Sequence, residues 1–530
     1  MTPVPKGVVV LLPRKKLDEK PLQGERRAEH VVSGVKIGKS EKRSILANGA
    51  RKVIQDRGRC LSMSDDVRVE VPRLRKNALS LSEIVSSSLA NVAPAMCIYF
   101  SLSLIVGGAG IAAPLTILLA AIAMGFHANA ITEFTKALPS TGSYVTFIGK
   151  SFGRRMSVIV ALMYVFSYIV AIGSVITMGG YWTADILKNF LSVQVPWWLI
   201  SVLFVLLVYW LTTSGIKLSV RTIVTVFAFE VGLLLISAIA MLIVAHAYIS
   251  FAPLNPANLK NGWGGVGLGF PIAIFMFIGV GNSAPLAEET ENPRKNVPRA
   301  VYASVIVAGL LYTFLGYATI IGLHADEAAI AKASVPFIDA AKVALGGFVI
   351  LAYLAGFTST LACLIGATNG QSRVIFSAAR EGLLPKWLAG VGRKQTPVAA
   401  IRFYLVVACL VTFIWSITAA PLDVYGYLST LGAIGVILVY ITLNFALTVF
   451  FKRQRPGEFR VWLHGIVPAV STLTMLLPLW GLVQPGQPVP FNVFPYVVLI
   501  YLVLVIAYAL VATKMNPELG KRVGSVVADK

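Results

Sequence analysis

The stretch Phe275–Arg299, FMFIGVGNSAPLAEETENPRKNVPR, begins as an apolar helix and ends as a polar loop. Between the two lies Ile278–Pro285, IGVGNSAP, where a helix is poorly supported. Gly279 and Gly281 have no Cβ, Asn282 can bond to nearby backbone, and Pro285 has no N–H to donate. The composition predicts a break. In an apolar setting a break frees amides and carbonyls that water cannot reach, which is tolerated only where they face protein or a water-filled site.

The rest of the chain supplies that apolar setting. Of 530 residues, 56% are hydrophobic and 13% charged. From Leu79 onward the sequence is a series of apolar stretches of the ~20 residues needed to cross a bilayer. Twelve spans are predicted, near 84–107, 112–136, 156–182, 196–214, 220–246, 265–288, 299–323, 347–375, 399–419, 422–451, 461–483 and 491–513. All read as helix, because the alternating pattern of a membrane barrel is missing. The N-terminus carries no cleavable leader pattern.

A net charge of +22 would suit a nucleic-acid binder, but its distribution suits a membrane protein better. With the N-terminus inside, the 27 Lys and Arg after residue 78 divide into 23 on inner segments and 4 on outer ones (Lys188, Lys260, Lys332 and Lys342). That bias predicts a multi-pass cell-membrane protein in contact with lipid, both termini cytoplasmic, and no nucleic-acid partner. Residues 1–78 hold 19 basic and 9 acidic residues and no long apolar run. They read as a basic, disordered cytoplasmic extension. Residues 79–513 form the membrane domain, and 514–530 a cytoplasmic tail. The four cysteines, Cys60, Cys97, Cys363 and Cys409, form no CxxC. Neither a disulfide framework nor a metal site is expected.

A second break is predicted in the first span, at Ser88–Met96, SLANVAPAM, around Asn91 and Pro94. The two breaks fall five helices apart. Paired interruptions at that spacing are the mark of transporters built from two inverted five-helix repeats. Half-helix N-termini offer amides to an anionic group, and exposed carbonyls attract a cation or ammonium.

These segments resemble the amino acid–polyamine–organocation superfamily. The opening stretch is similar to its sixth helix and following loop. Residues 137–153, ALPSTGSYVTFIGKSFG, resemble the segment joining helices two and three. Residues 372–400, SRVIFSAAREGLLPKWLAGVGRKQTPVAA, resemble the end of helix eight and its loop, and 425–451, YGYLSTLGAIGVILVYITLNFALTVFF, helix ten. The resemblance implies an all-α membrane protein with a 5+5 inverted repeat, broken helices 1 and 6, and two extra helices. It also implies a secondary transporter of an amino acid or related amine, working by alternating access, proton-coupled or exchanging, without a cofactor. A carrier of inorganic cations or polyamines on the same fold is the alternative.

The resemblance puts the substrate's carboxylate and amine at Ala90, Asn91, Val92, Ala93 and Pro94, and at Phe277, Ile278, Gly279 and Val280. Helix one departs here from the Gly-Ser-Gly pattern of many members. Phe275 matches an aromatic that closes over substrate in one antiporter branch, and Tyr168 a site-facing position on helix three. Glu230 stands where several relatives keep a lysine in place of a sodium ion. A carboxyl inside a membrane helix is a functional candidate in its own right, and desolvation favours its neutral form. It is the expected coupling residue, with Thr358, Ser359 and Thr360 as oxygen ligands for a proton or other cation. His127 reads as a helix-packing hydrogen-bonding group. Glu288, Glu289 and Glu291 read as a salt-bridge cluster with Arg294, Lys295 and Arg299. No HExxH, GxSxG or GxxxxGK[ST] motif is present, so a metalloprotease, a serine hydrolase and an ATP-driven pump are disfavoured.

Overall fold

The computed structural model describes residues 74–260 and 262–515. The expected extension up to residue 73, Cys60 and the tail beyond 515 lie outside the described residues. Within them the chain is helical, and its one β-type pairing is an isolated bridge between Leu79 and Thr290.

Helix α1 (Leu81–Asn91) starts at a capping box in which the Glu83 carboxylate accepts from both the backbone N–H and the hydroxyl of Ser80, each at 2.8 Å. It stops at Val92 and Ala93, and α2 (Pro94–Ala109) resumes with Pro94 in its first turn, where a missing N–H costs nothing. After a turn at Gly110 come α3 (Ala113–Ala137), α4 (Ser143–Phe152), α5 (Arg154–Leu191), α6 (Trp197–Thr213) and α7 (Ile216–Val244). Helix α8 (Trp263–Phe275) is the first half of the opening stretch, and α9 (Pro293–Gly322) follows its polar end. The chain continues through α10 (Glu327–Lys332), α11 (Pro336–Leu345), α12 (Ile350–Arg380), α13 (Val398–Ser416) and α14 (Pro421–Gln454). A π-turn at Trp462–Ile466 leads into α15 (Val467–Val483), and α16 (Phe494–Met515) closes the described chain.

Nine helical segments among the described residues are long and apolar enough to cross a membrane. One of them, Leu81–Ala137, holds α1, α2 and α3 together. Two apolar helices fall short of that length: α6, with 17 residues, and the 13-residue α8. The helix expected to resume at APLAEE is instead a 3-10 turn, Ala284–Glu289. Pro285 lies in its first turn, and the short turn ends at Thr290 rather than growing into α-helix. Two boundaries also differ from expectation. Residues 143–152, read as a connecting segment, form α4, and α5 runs nine residues beyond the predicted 182.

Close approach of small residues draws the helices together, as in membrane bundles generally. Gly435 of α14 faces Ser167 of α5 so tightly that a Cβ there would fall 2.0 Å from the hydroxyl oxygen. The broken segment is anchored by charge. Glu289 and Glu288 pair with Arg373 and Arg380 of α12, and all four side chains are buried. This corrects the expected cluster: both carboxylates reach across the bundle rather than to Arg294, Lys295 or Arg299. Arg294 instead donates to Lys136 O at 2.5 Å and Ala137 O at 3.2 Å, covering the end of α3. Arg373 also donates to Asn369 O at 2.7 Å, so its guanidinium is held at more than one point.

Removing one partner of a buried pair strands the other charge. Glu289→Leu and Arg373→Met should each lower stability by about 3–5 kcal/mol, and the double variant should recover a large part of it. Thermal unfolding of the four proteins in detergent checks this; additive losses in the double variant would contradict it.

Candidate functional site

The two breaks meet. Ala93 and Gly279 both have positive φ, +47° and +116°, so each helix leaves its axis there. Asn91 Nδ2 donates to Gly279 O at 3.2 Å, tying one break to the other. Tyr312, from the middle of α9, places its hydroxyl 3.2 Å from Val92 O and 3.2 Å from Met276 O. Cys97 Sγ donates to Val92 O at 2.9 Å and Cys363 Sγ to Asn91 O at 3.2 Å. Asn282 Nδ2 donates to Gly366 O of α12 at 2.9 Å. The freed carbonyls are thus met by side chains, as a dry interior requires. Cys97, Cys363 and Cys409 are all free thiols.

A cavity of about 110 Å³ opens beside the breaks. It is of the order of the ~150 Å³ cavity that accepts benzene in an engineered protein, so it suits a ligand of amino-acid size. Asn91, Val92, Ala93, Tyr168, Phe275, Ile278 and Thr360 line it, and all seven are candidates from the sequence. Ala90, Pro94, Phe277, Gly279, Val280, Thr358, Ser359 and Glu230 do not line it. Phe277 is fully buried and packs edge-on against Tyr312. Thr358 spends its hydroxyl on Leu354 O and Ala355 O within its own helix.

The remaining wall comes from residues that sequence reasoning missed. Met96, Cys97, Ile172, Val175, Met178 and Val436 are apolar; Tyr404, Tyr425, Ser174 and Ser429 carry hydroxyls. Most wall hydroxyls are already engaged. Ser174 donates to Ala171 O, Ser429 to Gly426 O, Thr360 to Phe357 O and Tyr404 to Tyr168 O. Tyr425, half-buried, has no hydrogen-bond partner among the described residues. No Asp, Glu, Lys or Arg lines the cavity. A ligand's polar ends are therefore left chiefly to the backbone of the breaks, and its side chain to an apolar, uncharged wall.

Glu230 of α7 sits behind α2. Its Oε1 accepts from Ala95 N at 3.0 Å, at the free N-terminus of that half-helix, where a carboxylate is electrostatically favoured. Its Oε2 and the Ser359 hydroxyl lie beside each other, and neither has any other partner. His127 packs between helices: it stacks on Tyr440 of α14 with ring centroids 4.1 Å apart and faces Asn444 of the same helix. Among the described residues no group of three or more His, Cys, Asp or Glu could hold a metal ion.

A helical bundle broken twice beside a cavity is the architecture of a carrier, and the comparisons name its family. The chain belongs to the amino acid permease family, whose model matches residues 78–520, and so to the amino acid–polyamine–organocation superfamily. It is an amino acid transporter and a multi-pass membrane protein. It is 27% identical over 430 residues to the branched-chain amino acid permease BcaP of Bacillus subtilis, covering 77% of this chain and 88% of that one. The BcaP of Lactococcus lactis is 23% identical over 437 residues, covering 76% and 88%. The methylthioribose transporter of Bacillus subtilis is 23% identical over 391 residues, covering 69% and 79%.

A Cβ at Gly279 would fall 2.3 Å from Asn91 Nδ2, at a φ that side chains rarely adopt. Gly279→Leu should abolish uptake while leaving membrane insertion intact, since hydrophobicity rises. Uptake normalised to the amount of protein in the membrane measures this. A normal rate would detach Gly279 from the working site.

Proposed function

We propose that this protein is a secondary active transporter of neutral amino acids with aliphatic side chains, working by alternating access across the cell membrane. The observation that carries the reading is the uncharged, largely apolar cavity bounded by both broken helices. A polyamine or inorganic cation would want carboxylates, and none lines this wall. Similarity to two branched-chain amino acid permeases supports the same substrate class. Similarity to a methylthioribose transporter cautions that the fold does not dictate the substrate, so the choice rests on the wall itself.

In this reading the helices make twelve spans: α1 with α2, α3, α5, α6, α7, α8 with its 3-10 extension, α9, α12, α13, α14, α15 and α16. The first ten form two inverted repeats, and both breaks open their repeat. The termini are cytoplasmic, with residues 1–78 as a basic extension, 79–513 as the transporter and 514–530 as a tail. The substrate's carboxylate meets the first break at Ala90–Pro94, where Met96 N is the amide left over once Ala93, Ala95 and Cys97 are bonded, and its ammonium meets the carbonyls near Phe275–Ile278. Tyr168 and Phe275 close over the side chain.

Glu230 couples transport to protons. Its Oε2 is a buried acceptor with only the Ser359 hydroxyl beside it, so the charged form is poorly solvated and one proton relieves that cost. The protonated carboxyl becomes a donor, and Ser359 Oγ lies beside it to accept. Because Oε1 holds the N-terminus of α2, the proton is exchanged at the very joint on which the first break turns.

In proteoliposomes, leucine uptake should exceed that of lysine and putrescine by more than about tenfold, the scale set by a charge left unpaired in a dry site. Preference for lysine or putrescine would overturn the substrate class. Glu230→Gln keeps the shape of the neutral carboxyl but cannot exchange a proton. It should lose uptake driven by a pH gradient and retain leucine counterflow. Equal gradient-driven uptake by variant and parent would reduce Glu230 to a structural hydrogen-bonding group. Single cysteines in the segment 452–460 should resist an impermeant thiol reagent on intact cells, while one at Lys332 should react. The reverse pattern would invert the orientation.

A further inference from the structure

A second cavity, of about 430 Å³, lies at the end of the bundle where α3 and α14 terminate and the π-turn begins. Nothing in the transport reading uses it. Its floor is the buried His464. The His464 Nδ1 accepts from Arg460 N at 3.0 Å, so Nε2 carries the proton and points at Glu133 Oε2, 3.2 Å away. The imidazole stacks on Phe451 with centroids 3.6 Å apart. Residues Trp462–Ile466 form a π-turn, a local distortion that recurs at functional sites. Here it carries His464.

The rim is cationic. Lys136, Arg455 and Arg460 line it against Glu133 and Glu458. Lys136 Nζ is 2.6 Å from Glu133 Oε1, which uses one of its three protons. Arg455 pairs with Glu458 and also donates to Ala137 O at 3.1 Å. Arg460 has no side-chain partner among the described residues, and it is exposed. A guanidinium and an ammonium with spare donors, around a space of this size, are chemistry for a phosphate oxygen pair.

The next two residues decide which phosphate. Val461 is 65% exposed and Trp462 62% exposed, so large apolar side chains adjoin the cationic rim directly. Tryptophan beside basic residues marks the level of lipid headgroups, and basic pockets between membrane helices take anionic headgroups. A free anion would use the rim and leave Val461 and Trp462 idle. We propose that this cavity is a binding site for an anionic phospholipid, its phosphodiester held by Arg460 and Lys136 and its acyl chains laid against Val461 and Trp462.

The test uses the full-length chain in detergent, offered phosphatidylglycerol or phosphatidylcholine, with retained lipid counted by native mass spectrometry. Phosphatidylglycerol should be retained and phosphatidylcholine not. Arg460→Ala should weaken retention about fivefold, the scale of one basic residue at a lipid surface, and Arg460→Lys should regain most of it. Arg453, exposed on the same segment but outside the cavity, supplies the control, and Arg453→Gln should leave retention unchanged. Equal retention of both lipids would overturn the proposal, as would full retention by Arg460→Ala. An equal loss on Arg453→Gln would indicate a diffuse basic surface instead. Competition by inorganic phosphate at concentrations equal to the lipid would indicate a free-anion site and would equally overturn it.

Discussion

The backbone of two interrupted helices must be satisfied without water, and the arrangement of the bundle follows from that need. Each carbonyl or amide freed near Val92 or Met276 is costly in an apolar interior unless something bonds to it. Tyr312, Asn91, Cys97 and Cys363 supply donors and Glu230 supplies an acceptor, while Asn282 of the second break donates outward to Gly366 O within α12. They come from α9, α1, α2, α12, α7 and the second break itself. The breaks thereby fix how five helices and one broken segment approach one another. The cavity is the space left beside that junction.

Charge plays the complementary part at the other end of the broken segment. The last two residues of the 3-10 turn at Ala284–Glu289 are held by guanidinium groups of α12. The same α12 meets the first break through Cys363 and the second through Gly366. One long helix thus references both breaks and the turn that follows them. Small residues allow it: a Cβ at Gly370 would fall 1.8 Å from Asn282 Oδ1.

Much of this was legible in the sequence, because Gly, Pro and Asn declare their backbone consequences locally. Both interruptions, the helical class and seven cavity-lining residues could be read from such signals and from the family resemblance. What could not be read depends on partners distant in sequence. Tyr312 sits in VAGLLYTFLG, where a tyrosine looks like ordinary packing, and nothing in its spacing points at Val92 or Met276. The basic residues nearest Glu288 and Glu289 in sequence look like their partners, although the true partners lie 92 and 84 residues away. A signal did exist there. Arg373 stands in an apolar stretch, and an arginine inside a membrane helix announces a buried partner. Met96, Met178 and Val436 line the cavity without any sequence cue, since apolar side chains on a helix look alike whichever face they occupy.

Tyr312 carries a consequence of its own. Its hydroxyl lies 3.2 Å from a carbonyl of each break, but a phenol has a single proton to give. Two acceptors therefore share this one donor, and Val92 O has the Cys97 thiol at 2.9 Å as a second, so Met276 O depends on the phenol more heavily. Any new donor that arrives at one carbonyl releases the proton wholly to the other. The phenol behaves as a balance beam between the halves of the molecule: filling one pan settles the opposite one, with no side chain changing its place.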